Sequence, residues 1–440
     1  MKRKEDFKTM LSEWLLEKPP ATIARDIKIP LSASYIASIT GPRRAGKTFL
    51  MYDTIRRLGE EKGVPKSNIL YVNFEHERLR NLDASDLEDL MTAFYEMSQP
   101  DDRSPIYLFL DEIQVVKDWS KWVNRMHGKK KFKLYISGSS SKLLSRELST
   151  ELRGRSADFT VLPLSFAEYL KFRNFTVPRP DALLFSEQRG SALRQLKDYM
   201  TNGSYPEIAI SPSDSTKLLR SYLDTTIIKD VGERHRIEPS ILRTFVEYAM
   251  DNCGKYVSGT KTYNYLKTLN YKISRDFPLR LFSYFNEAFA LFPVEIYSRS
   301  TKSRKQYPRK MYSVDSGMVR MASRNIDYGH IMENVVFLEL FRRSDALSGF
   351  SVNYWKEYGK SEGREVDFVI SDGSRVKELI NVTYASSRED IRERETEGII
   401  EAGRELKCSN LKIITWDYYE RGDIEFMPLW YWLLSGARDN

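Results

Sequence analysis

Cysteine and histidine are scarce in this chain of 440 residues. The two cysteines, Cys253 and Cys408, lie far apart, and the four histidines form no cluster with them. Because structural zinc sites need several such ligands and disulfide scaffolds need many cysteines, the sequence predicts neither. The two thiols are expected to be reduced, which is typical of a cytoplasmic protein.

Long apolar runs are absent too. No stretch approaches the ~20 apolar residues that a membrane-spanning helix requires. The start of the chain, residues 1–6, has no apolar segment typical of a signal peptide. The sequence therefore predicts a protein without a membrane partner. Its formal charge of +8 is compatible with nucleic-acid binding but does not require it.

Residues 41–48 carry the pattern of a phosphate-binding loop. They read Gly-Pro-Arg-Arg-Ala-Gly-Lys-Thr, which fits G-x-x-x-x-G-K-[ST] without a mismatch. The preceding residues 35–40 alternate like a buried strand, and residues 49–58 are apolar at helical spacing. A glycine-rich turn that matches by chance is the alternative. Strand, glycine loop and helix together favour a site for ATP.

Each part of this loop has a predicted role. The loop N–H groups and the helix terminus bind phosphate, Lys47 reaches the β- and γ-phosphates, and Thr48 holds Mg²⁺. The predicted nucleotide-binding residues are Gly41, Pro42, Arg43, Arg44, Ala45, Gly46, Lys47, Thr48 and Phe49.

A second predicted strand, residues 104–112, is a continuous apolar run that ends in Asp111 and Glu112. Such a run is typical of a parallel strand that is buried on both faces. Asp111 can hold Mg²⁺ through water, and Glu112 can polarise the water that attacks the γ-phosphate. Ordinary solvated acids are the alternative reading. Since binding alone needs only Asp111, the added Glu112 favours hydrolysis.

Several short motifs follow one another in the order typical of one family. Besides the phosphate loop they are Asn73-Phe74-Glu75, Leu110-Asp111-Glu112-Ile113-Gln114, Ile136-Ser137-Gly138-Ser139-Ser140, Arg153-Gly154-Arg155, Pro163-Leu164-Ser165-Phe166, Tyr205-Pro206-Glu207, Lys229-Asp230, Tyr312-Ser313-Val314-Asp315 and Glu365-Val366-Asp367-Phe368. The chain thus resembles the AAA-type ATPases of archaea and bacteria that carry a restriction-nuclease-like C-terminal domain. Two more residues are candidates for catalytic roles. Residues 132–140 read as a further central strand, and Ser137, or failing that Ser139, at its end would sense the γ-phosphate; a serine that only bonds the local backbone is the alternative. Arg155 would contact nucleotide from a neighbouring subunit or the lid, or else is only a surface charge.

Residues 299–310 contain six bases and no acid. They lie between two strand-like pieces and follow amphipathic helices, as the wing of a winged helix-turn-helix does. The predicted DNA-binding residues are Arg280, Lys302, Arg304, Lys305, Arg309 and Lys310. A solvated hairpin tip, or a winged helix that serves for protein interaction or packing, is the alternative.

The C-terminal third has the element order of a PD-(D/E)XK nuclease: a helix, a hairpin and a further strand. The resemblance implies that Glu333 on the helix and Asp367 on the hairpin would hold a metal ion. The following E-x-K positions read Asn381-Val382-Thr383, so a ligand and the lysine are missing. We therefore expect a vestigial metal site. A helix-cap acid and a turn residue are the alternatives for Glu333 and Asp367.

Together these patterns predict an α/β, multidomain protein. A P-loop parallel-sheet ATPase is followed by a helical lid, a winged helix and a PD-(D/E)XK-like α/β domain. The predicted segments are 1–30, 31–165, 166–235, 236–325 and 326–440. The leading hypothesis is a Mg²⁺-dependent ATPase that binds or remodels DNA, with an inactive nuclease-like domain. A nucleotide-switched signalling or defence protein with a protein partner, and an ATP-dependent nuclease, are the alternatives. A homo-oligomer is compatible with each.

Overall fold

The structure is a computed structural model that describes residues 2–101, 103–139, 154–176, 188–322, 327–346, 349–357, 363–373 and 375–435. Ser140 and Arg153, which belong to the motifs above, lie outside these ranges. The chain forms two compact units, Met1–Val161 and Leu162–Asn440.

The first unit is built on a five-stranded sheet. Its strands are β1 (Ile36–Thr40), β2 (Ile69–Asn73), β3 (Ile106–Asp111), β4 (Phe132–Gly138) and β5 (Ser156–Thr160). All pairs are parallel, and the order is β2-β3-β4-β1-β5. Every residue of β1 and β3 is buried, as expected for central parallel strands. The predicted α/β fold with a parallel sheet is confirmed, and β4 lies between the strands that end in the phosphate loop and in Asp111.

In the described part of this unit, four helices accompany the sheet. They are α1 (Lys2–Leu16), α2 (Lys47–Lys62), α3 (Asp86–Ser98) and α4 (Trp119–Gly128), with 3₁₀ turns at Lys66–Asn68 and Ile113–Val115. Phe7 and Leu11 of α1 are buried in the same apolar cluster as strands β2 and β3. The N-terminal helix is therefore part of the ATPase-like unit.

The second unit is mostly helical in its first half. Its helices are α5 (Phe166–Phe172), α6 (Arg189–Asn202), α7 (Pro206–Ile210), α8 (Ser215–Thr225), α9 (Pro239–Asp251), α10 (Gly259–Thr268), α11 (Phe277–Glu287), α12 (Thr301–Gln306), α13 (Ser316–Ala322), α14 (Tyr328–Ala346), α15 (Glu393–Leu406) and α16 (Leu429–Ser435). A 3₁₀ turn precedes α8 at Pro212–Asp214, and a π-helix, Thr226–Glu233, continues it. No helix in the described part of the chain is both long and apolar enough to cross a membrane.

Two sheets lie in the second unit. The small one has the order β6-β8-β7 and comprises β6 (Tyr256–Val257), β7 (Leu291–Val294) and β8 (Arg309–Ser313). The large one has the order β13-β12-β11-β10-β9 and comprises β9 (Ser351–Lys356), β10 (Glu365–Ser371), β11 (Val376–Thr383), β12 (Leu411–Thr415) and β13 (Glu425–Pro428). Strands β9, β10 and β11 are antiparallel neighbours, whereas β12 and β13 run parallel to β11.

One apolar core runs through this unit. It contains Leu170 and Leu196 from the predicted lid, Phe245 and Phe285 from the predicted winged helix, and Trp430 near the C-terminus. The predicted segments 166–235, 236–325 and 326–440 therefore share buried surface. A second cluster beneath the large sheet, with Val366 and Ile399 among its members, completes the packing.

The basic run at residues 299–310 differs from the predicted wing loop. Residues Thr301–Gln306 form helix α12, capped by the Ser300 side chain, which accepts a hydrogen bond from the Ser303 N–H at 3.3 Å. Arg309 and Lys310 are the first residues of β8. The run is thus a short helix followed by a strand, because the serine supplies a helix start and the strand already begins at Arg309.

Candidate active site of the first unit

The loop between β1 and α2 has the backbone that a phosphate cradle needs. Gly41 and Gly46 have φ values of +145° and +101°, which side chains disfavour. A Cβ atom on Gly41 would lie 2.1 Å from the Val161 carbonyl oxygen. Glycine is therefore required at position 41, both by the positive φ and by the close approach of the Val161 backbone.

Lys47 begins helix α2, and its side chain folds back over the loop. Its ammonium group donates to the carbonyl oxygens of Gly41 and Pro42 at 3.1 Å each. It also lies 3.5 Å from the Glu112 carboxylate, and only 5% of its side chain is exposed. A buried ammonium group at a helix N-terminus is well placed to bind phosphate oxygens.

Asp111 accepts hydrogen bonds from three hydroxyl groups. Thr48 donates at 2.7 Å and Tyr71 at 3.1 Å, both to Oδ2, and Ser137 donates to Oδ1. Burial raises the pKa of Asp111, although the bonds from Ser137 and Thr48 oppose this effect. The carboxylate that the sequence predicts as a Mg²⁺ ligand is thus adjacent to Thr48 at the end of a buried strand.

Glu112 is fixed in a different way. Its backbone has a φ of +54°, an uncommon value for a residue with a side chain, and its N–H donates to the Ser137 hydroxyl at 3.0 Å. Gln114 donates to its carboxylate. Burial opposes ionisation of Glu112, but Lys47 and the bond from Gln114 outweigh it, so its pKa is lowered. The lowered pKa favours an ionised Glu112 carboxylate beside Lys47.

The structure brings Lys47, Thr48, Asp111, Glu112 and Ser137 together. Ser137 contacts both acids because β4 lies between β1 and β3. Other predicted residues surround this group. Ser139 is buried, Phe49 is 52% exposed, and Arg43 forms an ion pair with Glu75 at 2.8 Å.

Arg155 lies elsewhere. Its carbonyl oxygen accepts a hydrogen bond from the Ile36 N–H, at the beginning of β1, and its side chain donates to Asn124. The phosphate loop follows Thr40, about 13 Å farther along the strand. The structure therefore does not bring Arg155 to the nucleotide site of its own chain. A contact with nucleotide in a neighbouring subunit stays a prediction.

The sequence analysis assigned no role to two residues near the acids, Tyr71 and Gln114. Tyr71 comes from β2, where it pairs with Phe109 of β3, and only this register brings its hydroxyl to Asp111. A role for Gln114 could have been predicted from sequence, because this polar residue follows Glu112 by two positions, just beyond the strand. Burial strongly raises the pKa of Tyr71, so its hydroxyl remains a donor at ordinary pH.

These residues fit a nucleotide with Mg²⁺. Gly41 leaves no room for a side chain, Lys47 supplies a buried positive charge, and Thr48 and Asp111 offer the oxygen ligands that Mg²⁺ prefers. The helix N-terminus adds N–H groups that α2 does not use internally.

A second group of charged residues lies in the second unit. The Lys310 ammonium group donates to Glu333 at 2.9 Å and to Asp367 at 2.6 Å. Burial opposes the charge of Lys310, but the two carboxylates outweigh it and raise its pKa. Burial also raises the pKa of Glu333 to about 7, although Lys310 opposes the rise. Glu333 and Asp367 are thus brought together, with a lysine between them.

Lys310 is consequently not a surface base. It is 2% exposed, so the prediction that it contacts nucleic acid is wrong for this conformation. Alternation along β8 explains this placement, because Lys310 and Tyr312 point to the same side of the strand, towards Glu333. Arg309 is partly buried and paired with Glu295 at 3.3 Å.

The remaining predicted bases are more accessible. Lys302 and Lys305 are exposed on α12, and Arg304 is partly buried, with a hydrogen bond to the Ser298 carbonyl oxygen at 3.4 Å. Arg280 is exposed on α11, where it forms an ion pair with Asp276 at 3.2 Å. The exposed lysines of residues 299–310, Lys302 and Lys305, therefore both lie on α12.

Asn381 and Thr383 lie on β11, next to Asp367. The Asn381 amide oxygen accepts from the Asp367 N–H at 3.0 Å, and its amide nitrogen donates to the Glu395 carbonyl oxygen at 3.2 Å. Both polar ends of this side chain are therefore engaged. Within the described ranges, no group of three or more His, Cys, Asp and Glu residues is arranged to hold a metal ion.

Comparison with known proteins agrees with this geometry. Residues 33–170 match the AAA domain family, residues 193–327 match a domain of unknown function (DUF8612), and residues 328–432 match another (DUF4143). An uncharacterized protein of Methanocaldococcus jannaschii is 35% identical over 454 residues, which cover 98% of this chain and 96% of that protein. The chain belongs to the same family of AAA-type ATPases. An uncharacterized protein of Haemophilus influenzae is 28% identical over 411 residues, covering 91% of this chain and 94% of its own.

Solved structures are similar to this AAA-type ATPase only at lower sequence identity. The Walker-type ATPase of Pyrococcus abyssi has a TM-score of 0.38 at 14% identity, covering 72% of this chain and 95% of its own. The Aeropyrum pernix ORC1 protein in complex with DNA has a TM-score of 0.29 at 15% identity, covering 78% of this chain and 93% of its own.

Proposed function

We propose that this AAA-type ATPase binds ATP and hydrolyses it in a Mg²⁺-dependent reaction. The observation that carries the proposal is the pairing of Lys47 with Glu112 and of Thr48 with Asp111 on adjoining parts of one buried site. Binding alone does not need an ionised glutamate beside the loop lysine. Hydrolysis does, because a base must orient and polarise the attacking water.

Different residues of the site bind the phosphates, hold the metal ion and orient the attacking water. Loop N–H groups and Lys47 hold the β- and γ-phosphates and offset the charge that develops on them. Thr48 and Asp111 hold Mg²⁺, which supplies further neutralisation of the phosphate charge. Glu112 accepts a hydrogen bond from water opposite the leaving phosphate, and Ser137 keeps both acids in position.

Two variants test this proposal. Lys47→Ala removes the phosphate-binding charge and should abolish nucleotide binding or turnover. Glu112→Gln keeps the shape but removes the base, so ATP should still bind while turnover falls by about 10²–10⁴-fold. Lys62→Ala, in the exposed last turn of α2, is the matched control and should hydrolyse ATP like the wild type. Unchanged turnover in Glu112→Gln would remove Glu112 from the reaction.

We further propose that the second unit binds DNA through the bases of α12. The support is chemical: Lys302 and Lys305 are exposed, and residues 299–310 contain no acid to offset them. Such a surface suits phosphate contacts, which position a protein on nucleic acid without reading its sequence.

We also propose that the large sheet belongs to a nuclease-like domain that does not cut. Helix α14, the antiparallel strands β9–β11, helix α15 and the parallel strand β12 follow the order expected for a PD-(D/E)XK core. Asn381 and Thr383 replace the acid and the lysine of that centre, and Lys310 engages both remaining carboxylates. Incubation with Mg²⁺ or Mn²⁺ and linear, nicked or branched DNA should therefore leave the DNA intact.

ATPase assays with and without single-stranded, duplex and branched DNA separate the proposed role from its alternative. Stimulation by one form of DNA favours a DNA-remodelling ATPase. Turnover that no DNA affects, together with no DNA binding, favours a nucleotide-switched signalling or defence protein whose second unit binds another protein.

A further inference from the structure

The ammonium group of Lys310 lies where a nuclease-like centre would place a metal ion. It donates to Glu333 Oε1 at 2.9 Å and to Asp367 Oδ1 at 2.6 Å, and its side chain is 3% exposed. The three residues come from three different elements, β8, α14 and β10. One nitrogen thus contacts an oxygen of each carboxylate, as a cation shared by the two acids would.

The other donors to these two carboxylates carry no charge. The Tyr312 hydroxyl donates to Glu333 at 2.6 Å, and the Val382 N–H donates to Asp367 Oδ2 at 2.9 Å. These bonds orient the carboxylates, as outer hydrogen bonds orient metal ligands in proteins. Lys310 is the positively charged group that contacts both Glu333 and Asp367.

Acidic groups surround this pair. Glu365 accepts from Tyr256 at 2.8 Å and forms an ion pair with Lys356 at 3.4 Å. Glu395 interacts electrostatically with Asp367, and its Oε2 atom is buried without a hydrogen-bond partner in the described part of the chain. Loss of Lys310 would leave the carboxylates of Glu333 and Asp367, whose side chains are 10% and 14% exposed, without the ammonium group that pairs with both.

We propose that Glu333 and Asp367 form a latent divalent-cation site that the chain fills with its own Lys310. In the wild-type protein the ammonium group occupies the site, so no metal ion binds there. Loss of that charge opens the site to Mg²⁺ or Mn²⁺, which bind proteins through one or two carboxylates and retain several waters. The inference deepens the proposed inactivity of the nuclease-like domain and does not depend on ATP hydrolysis.

Mn²⁺ binding, followed by electron paramagnetic resonance on the full chain without nucleotide, tests the proposal. Wild type and Asp367→Asn should bind the same number of Mn²⁺ ions. Lys310→Gln should bind one more ion than wild type, and Lys310→Gln with Asp367→Asn should lose it. Because every protein retains the first unit, binding near Asp111 cancels in these comparisons. Lys302→Gln removes an exposed lysine and should bind Mn²⁺ like the wild type.

Two results would overturn the proposal. The first is Mn²⁺ binding by wild type that Asp367→Asn abolishes, since Lys310 would then not occupy the site. The second is a folded Lys310→Gln protein that binds no additional ion. If Lys310→Gln fails to fold in metal-free buffer, millimolar Mn²⁺ should restore its folding, and failure to do so would equally refute the idea. ATP turnover enters none of these measurements, so its absence would bear only on the proposed ATPase reaction.

Discussion

Asn334 binds both backbone polar groups of Ser313. Its amide oxygen accepts from the Ser313 N–H at 2.7 Å, and its amide nitrogen donates to the Ser313 carbonyl oxygen at 3.1 Å. The Cys253 thiol donates to the same amide oxygen at 3.2 Å. One fully buried side chain therefore joins α14 to the end of β8, the strand that also carries Lys310.

Asn334→Ala should destabilise the second unit by about 3 kcal/mol, because a buried donor and acceptor of the backbone would lose their partner. Chemical denaturation followed by circular dichroism measures the effect. Asn264→Ala, at an exposed position of α10, is the matched control and should change the free energy of unfolding by less than about 0.5 kcal/mol. Equal stabilities for the two variants would contradict the role given to Asn334.

Gly41 and Gly59 provide a second contrast within the first unit. Gly41→Ala places a Cβ atom 2.1 Å from a carbonyl oxygen at a positive φ, so the phosphate loop must distort. We expect at least about a tenfold loss of ATP affinity, a cost of about 1.4 kcal/mol or more. Gly59 lies within α2 with open space around it. Gly59→Ala should bind ATP normally and gain about 1 kcal/mol of stability, since alanine favours a helix.

Titration with a fluorescent ATP analogue and thermal melting, performed on both glycine variants, would check these expectations. Normal binding by a folded Gly41→Ala protein would show that the loop does not need its present backbone.

DNA binding should depend on α12. The double substitution Lys302→Ala and Lys305→Ala removes two exposed charges, so the slope of log affinity against log salt concentration should become shallower by about 1.8. Fluorescence anisotropy with duplex DNA at several salt concentrations measures this slope. Lys217→Ala with Lys377→Ala removes two lysines that pair with acids and should leave the slope unchanged. Identical slopes for the two double variants would exclude α12 from the contact.

The Cys253 thiol should be inert in the folded protein. Burial raises its pKa to about 12, so the reactive thiolate is rare at pH 8. In a Cys408→Ser background, iodoacetamide should modify Cys253 only after denaturant is added, as mass spectrometry would show. Because the folded pKa lies above the ordinary value of 9.0, the stability contributed by the thiol is complete below pH about 9 and declines as the pH rises towards about 12. Rapid modification without denaturant would mean that this part of the unit opens readily.

The sequence made the nucleotide site predictable because its parts are contiguous. Loop, strand and helix signals surround Lys47, and an apolar run points directly to Asp111 and Glu112. Tyr71 could not be found in this way, since its contact with Asp111 depends on the pairing of β2 with β3. Local sequence patterns predict which residues lie at the end of a strand. The register between strands determines which side chains of the neighbouring strand contact those residues.

Lys310 illustrates the same limit. Lys310 is the last residue of the basic run 299–310. Composition alone therefore predicts that it is exposed, like the lysines of α12. The strand that begins at Arg309 turns alternate residues inward, and α14 and β10 then supply carboxylates from 23 and 57 residues farther along the chain. Sequence analysis identified both acids, whereas the identity of their partner required the tertiary structure.

The predicted segments of the second unit share one continuous apolar core and therefore do not form separate domains. Met318 and Ile331, on either side of the predicted boundary near residue 325, belong to the same core, and Leu164 and Trp430 belong to it as well. A polypeptide cut at that boundary would expose this core on both fragments. Each of the three segments contributes side chains to this core, so any one of them expressed alone would leave apolar surface uncovered.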